Sequence, residues 1–214
     1  MSNAALGQRF LESTRGQVVA RLRRGDRTVE ELARELGLTD NAVRNHLSAL
    51  ERDGLVRSSG VRRGPGAGKP AVLFTLQPEA AELLSRAYPP VLGAVMEVLV
   101  EELPPDRATA LLREVGRRLA RSVGGRASGD LDARIRAGAG VLTALGGDAE
   151  LIVGESERRL EGAGCPLSGV VCHRPEICLA VEALLTDVIG APVRSHCEHG
   201  ARPRCSFAIP SSAA

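Results

Sequence analysis

The sequence predicts an α+β chain with an N-terminal winged helix-turn-helix, a central helical region and a small C-terminal α+β domain. Three observations carry that prediction. Up to about residue 80, helical apolar spacing gives way to two strand-like segments around a Gly/Pro-rich tip. Residues 81–146 keep the helical period. All five cysteines of the 214-residue chain follow residue 164, among short alternating segments. The expected domains are therefore 1–80, 81–146 and 147–214.

This length suffices for one large domain or two small ones. Leu, Val and Ala supply the apolar content, since Trp is absent and Phe10, Phe74, Phe207 and Tyr88 are the only aromatics. Arginine has displaced lysine everywhere but at Lys69, a bias of composition and not of function. The start "MSNAALGQRF" lacks the basic-then-apolar pattern of a signal peptide. No apolar run reaches the ~18 residues that span a bilayer. A cytoplasmic protein without membrane contact is expected, and there thiols stay reduced. Grouped cysteines then point to metal binding or redox chemistry and not to a disulfide framework. The net charge of +2 hides an asymmetry: residues 1–76 carry 13 Arg/Lys against 8 Asp/Glu, and the remainder 15 against 18. A basic first part suggests a polyanionic partner.

Residues 7–24 place Phe10, Leu11, Val18, Val19 and Leu22 on one helical face, with arginines between. After the turn at "RGD", "TVEELARELG" opens with a capping box of Thr28 and Glu31. Leu32, Ala33 and Leu36 form its inner stripe, and Gly37 stops it. A third helix follows in "DNAVRNHLSALERDG", where Val43, Leu47 and Leu50 share a buried face and Gly54 ends the run. Its other face carries Asn41, Arg44, Asn45 and Ser48, while Asp40 and Glu51 are assigned to capping or surface work. Two short helices in this order, the second polar outside, make a helix-turn-helix. "GLVRSSGVRRGPGAGKPAVLFTL" then reads as a β-hairpin with Arg62, Arg63 and Lys69 at its tip.

The chemistry suits double-stranded DNA. Arg matches guanine and Asn matches adenine in the major groove, and a basic loop beside the helix reaches phosphates or the minor groove. The competing reading is a helical domain that contacts protein through solvated faces. "ELGLTDNAVRNHLSALERDGLV" followed by "GPGAGKP" resembles the winged-helix domain of DeoR/ArsR-type bacterial repressors over residues 12–80. The resemblance implies a third helix docked through Asn41, Arg44, Asn45 and Ser48, and a wing of Arg62, Arg63 and Lys69. Lys69 departs from the usual Gly-Arg-Pro, keeping the charge but losing the planar fork.

"LQPEAAELLSRAYPPVLGAVMEVLVEEL" is helical, with "YPP" marking a bend or a new start. Val91, Leu92, Val95, Met96, Leu99 and Val100 exceed what one amphipathic face needs. They fit a buried core helix or a dimer helix, and paired half-sites favour a homodimer. Two more helices follow in 104–145, joined by "GGRASGD". "AELIVGE" and "RRLEGAGCPL" alternate as paired strands, "HRPEICLAVEALLTDVIG" is a helix with Pro175 in its first turn, and "PVRSHCEHGARPRCSFAI" gives two short strands around a turn.

Cys165 is expected at a strand end, Cys178 on a helix, and Cys197 and Cys205 beside a turn, with Cys172 extra. Any of them could be a buried structural thiol. Four together near Gly and Pro suggest a metal or a cluster. Zinc sites usually show tight Cys-x2-Cys knuckles, and none occurs; widely spaced thiolates suit an Fe–S cluster. His173, His196 and His199 lie beside the cysteines and could replace one, or be exposed loop residues. No Ser-His-Asp signature, phosphate loop or dinucleotide glycine pattern suggests an enzyme.

A winged helix followed by "GCPL", a later cysteine and "RCSFAI" resembles the SufR family of iron–sulfur-sensing repressors of cluster-assembly genes. That resemblance implies a homodimer with a 4Fe–4S cluster in each subunit, held by Cys165, Cys178 and Cys205 with Cys197 as the fourth ligand, and a holo form that represses. The alternatives are a regulator of the same build using zinc, a thiol switch or an organic effector, and, more remotely, a redox enzyme.

Overall fold

The computed structural model describes residue 10 and residues 12–63, 70–83, 85, 87–154 and 157–211, and the backbone alone at 81–83. They form two compact units, residues 1–86 and 87–214. Leu11 and Lys69 lie outside the described residues.

In the first unit, α1 spans Thr14–Leu22, and Ser13 caps it by accepting from the Gly16 N–H. A two-residue strand β1, Arg27–Thr28, leads into α2, Val29–Leu36. The predicted capping box is present in both halves. Thr28 Oγ1 accepts from the Glu31 N–H at 3.2 Å, and Glu31 Oε2 accepts from the Thr28 N–H at 2.9 Å. Gly37 ends α2 with φ +67, a left-handed conformation that glycine adopts without a Cβ clash. α3 is Asp40–Arg52; its cap is Thr39, which accepts from the Ala42 N–H, so Asp40 is the first helical residue and not the cap. β2, Val56–Arg62, and β3, Ala71–Leu76, complete an antiparallel sheet in the order β1-β3-β2. A short α4, Pro78–Leu83, follows.

Val18, Val19, Leu22, Leu32, Val43, Leu47, Leu50 and Val56 form one core under these elements. The three helices therefore bury the stripes their periodicity marked, and α3 leaves its polar face outside. Leu36 is half-buried at the edge of that core.

The second unit begins with α5, Tyr88–Glu102, α6, Pro105–Ser122, and α7, Leu131–Ala144, with Asp130 capping α7 through the Ala133 N–H. β4, Asp148–Val153, and β5, Glu157–Gly164, pair antiparallel. Then come α8, Ser168–Val171, a 3-10 turn, Pro175–Ile177, and α9, Cys178–Ile189. β6, Arg194–Ser195, and β7, Cys205–Pro210, close a four-stranded sheet in the order β4-β5-β7-β6.

The main core joins α7 and α9 to the sheet through Ile135, Leu142, Leu160, Leu185, Ile189, Phe207 and Ile209. α6 lies along α9, and a second core ties α5 and α6 to α8 and α9 through Met96, Leu112, Val170, Val171 and Ile177. Residues 81–146 were expected to stand apart from 147–214. The described parts of both share these cores from residue 87 onward, because α6 and α7 bury their apolar faces on α9. No described helix is long and apolar enough to cross a membrane.

Candidate functional site: a polar helix face and a four-thiol cluster

Two sites emerge, one in each unit. On α3, Asn41, Arg44, Asn45 and Ser48 are all exposed, while Val43, Leu47 and Leu50 are fully buried. The buried residues recur at helical spacing, so the polar ones share the opposite face. Arg63 is exposed just beyond the end of β2. Arg62, expected at the tip, is instead the last residue of β2, paired across the ladder with Ala71 and bonded to Glu31.

The cysteines come from separate elements. Cys165 follows the end of β5, Cys178 is the first residue of α9, Cys197 lies in the β6–β7 connection, and Cys205 opens β7. Cys178 and Cys205 are buried, and Cys165 and Cys197 are half-buried. Cys165 and Cys197 pack against both cores of the unit, Cys205 belongs to the sheet core, and Cys178 to the α5–α8 core. The site therefore sits at the junction of those cores.

The four sulfurs interact with one another. The neighbouring Cys205 thiol lowers the Cys165 pKa to about 7. The neighbouring Cys178 and Cys205 thiols lower the pKa of Cys197 as well. Cys178 and Cys205 shift the other way: Cys178 is raised by Cys197 and by burial, and Cys205 by Cys165 and Cys197. The Ser206 N–H also donates to Cys197 Sγ at 3.4 Å. N–H and S–H donors gathered around a sulfur favour its thiolate form. Among the described residues, no three His, Cys, Asp or Glu side chains are grouped to hold a single metal ion.

His199 Nε2 lies 3.5 Å from Cys178 Sγ. All three, His173, His196 and His199, are exposed. Cys172 stands apart from the four. It is exposed at the end of α8, and its thiol donates to the Gly200 carbonyl at 3.4 Å and the Ser168 carbonyl at 3.7 Å. Sequence reasoning missed the carboxylate contacts of the hairpin: Ser59 Oγ donates to Asp26 Oδ2, and Arg62 to Glu31. Only the capping box could have drawn notice to Glu31, and no local pattern links Asp26 to Ser59.

Comparison with known proteins bears on the first site. Residues 12–58 match the family described as bacterial regulatory protein, arsR family. They are an arsR-family helix-turn-helix regulator domain. Among solved structures, a similar chain is Lactococcus lactis ZitR in apo form, a variant with one cysteine and one histidine replaced by alanine. It is 20% identical, with 52% of this chain and 90% of that chain covered and a TM-score of 0.29. No curated protein matches the chain.

Proposed function

We propose that this chain is a DNA-binding transcriptional repressor whose second unit senses an iron–sulfur cluster. The observation that carries the reading is the convergence of Cys165, Cys178, Cys197 and Cys205, from four separate elements, in a chain that also holds a regulator's helix-turn-helix. The donor set fits such a group: four soft sulfurs, two of them already held toward the thiolate by their neighbours. A cubane cluster would take each thiolate on a different iron. One tetrahedral zinc would draw all four to about 2.3 Å from a single point.

When bound, a 4Fe–4S cluster would supply four metal–sulfur bonds and a sensitivity to iron supply and oxidants. The chain's own residues define what those bonds would join. Cys205 is fixed by its pairing with Gly162 on β5, and Cys178 by the first turn of α9, which lies against α6. Ligation by all four would pin the sheet to the helices, and ligand-free thiols would leave that junction to packing alone. Such a device shifts the DNA-binding equilibrium only by its differential affinity for the two states.

The same reading takes the chain as a homodimer. On α5, Val91, Val95 and Val98 are 59%, 54% and 60% exposed, although they recur along one helical face. Met96, on the other side of the helix, is 2% exposed. Winged-helix readers of paired half-sites need a partner surface of this kind.

DNA recognition is tested at Arg44. Its guanidinium lies opposite the buried stripe, so Arg44→Ala leaves folding intact. It should cost about 1–3 kcal/mol on the preferred site and relax selectivity at one position. Binding to specific and random duplexes checks this. Equal binding of wild type and Arg44→Ala to both would remove α3 as the reader and favour a protein-contact domain.

A further inference from the structure

Strand β2 of the hairpin is tied to the residues ahead of it by two carboxylates, Asp26 and Glu31. β2 carries a bulge: Ser58 pairs with Phe74 and Gly60 with Leu73, so Ser59 has no partner across the ladder. A bulge bends its strand and re-aims a side chain. Gly60 follows at φ +145, a conformation that other residues rarely adopt. The redirected Ser59 hydroxyl donates to Asp26 Oδ2 at 2.5 Å. Neighbouring Ser59 and Thr75 hold the Asp26 carboxyl below its ordinary pKa.

Further along β2, Arg62 Nη1 donates to Glu31 Oε1 at 2.5 Å. The other oxygen, Oε2, accepts from the Thr28 N–H at 2.9 Å. The capping box therefore aims the carboxylate that receives Arg62. Glu31 is about a quarter exposed and Arg62 half exposed, so the pair sits at the surface with its acid partly sheltered.

We propose that Asp26 and Glu31 brace the wing against α2, so that Arg62 positions the hairpin and does not neutralise a phosphate. The inference rests on the DNA-binding reading and revises one of its contacts: Arg63 remains a phosphate candidate, and Arg62 does not. The physical reason is charge balance. An arginine offset by a carboxylate that is itself held in place displaces no counterion from DNA unless the pair breaks.

The two roles give opposite results on Glu31. Removing a carboxylate from a surface that meets DNA should strengthen binding by simple Coulomb attraction. Removing a brace should weaken it. Glu31→Gln is a suitable probe, because a glutamine oxygen still completes the capping box while the ion pair is lost.

The experiment measures affinity for a random-sequence duplex at several salt concentrations. Glu31→Gln and Arg62→Gln should each weaken binding about two- to fivefold, as an exposed ion pair allows. The double variant should be no worse than either single one, with the log–log salt slope unchanged in all three. Arg63→Gln should instead flatten that slope by about one unit. In the free protein, Glu31→Gln and Asp26→Asn should speed amide hydrogen exchange in β2 and β3. A flattened slope for Arg62→Gln, tighter binding by Glu31→Gln, or unchanged exchange would overturn the brace. Wild-type protein with no salt-dependent affinity for duplex DNA would overturn the DNA-binding reading instead, and the exchange measurement would still decide whether the brace exists.

Discussion

Cys172 and Cys178 lie close in sequence and have different surroundings. Cys178 is buried among apolar side chains with its thiol beside Cys197, whereas the exposed Cys172 donates only to backbone carbonyls. Replacing a ligand thiolate by a hydroxyl removes a soft donor that iron prefers. Cys165→Ser, Cys178→Ser, Cys197→Ser and Cys205→Ser should therefore each abolish or severely reduce cluster loading, while Cys172→Ser loads as the wild type does. Iron and sulfide content with visible absorbance checks the series. Equal damage from Cys172→Ser would overturn the ligand assignment. At this scale the sequence was informative about which residues belong together, because cysteines are few and all lie in the second unit. It could not rank His173, His196 and His199. Only the turn of the β6–β7 connection brings His199 beside Cys178, a contact no spacing rule encodes.

Among the elements, the pairing of α6 with α9 links the helices to the thiol site. Gly116 is the close point of that contact. A Cβ there would lie 2.1 Å from the Ala180 carbonyl oxygen and 2.8 Å from the Leu184 nitrogen, both backbone atoms that cannot rotate away. Ala108, Leu112 and Ala120 continue the same buried face. Gly116→Ala must push α6 off α9, at a cost of about 1–3 kcal/mol for an overpacked core. Chemical denaturation of the second unit should show that loss. Because α9 begins at Cys178, cluster loading should weaken with it. A variant as stable as wild type would mean the helices separate without cost. Helix positions were legible from periodicity, as Thr28 with Glu31 and the Val43/Leu47/Leu50 stripe show. The role of Gly116 was not, since a mid-helix glycine reads as a weakness until its neighbour is known. Likewise, the bulge at Ser59 follows from a partner distant in sequence, Asp26, and not from the strand's own pattern.

For the whole molecule, the sequence sets a helix-turn-helix apart from a cysteine-bearing part. The placement of the central helices was less legible. Their apolar excess marked α5 as a helix with two faces to cover, and Met96 is buried while Val91, Val95 and Val98 are exposed. What the pattern could not show is that α6 and α7 complete the core of the cysteine unit, because apolar periodicity tells which face is buried and not against what. Whether four thiols of this unit hold an iron–sulfur cluster is read from the iron, acid-labile sulfide and zinc content of protein prepared without oxygen. Brown protein with about four iron and four sulfide per chain is expected, as a cubane on four cysteines requires. Colourless protein carrying about one zinc per chain would contradict it.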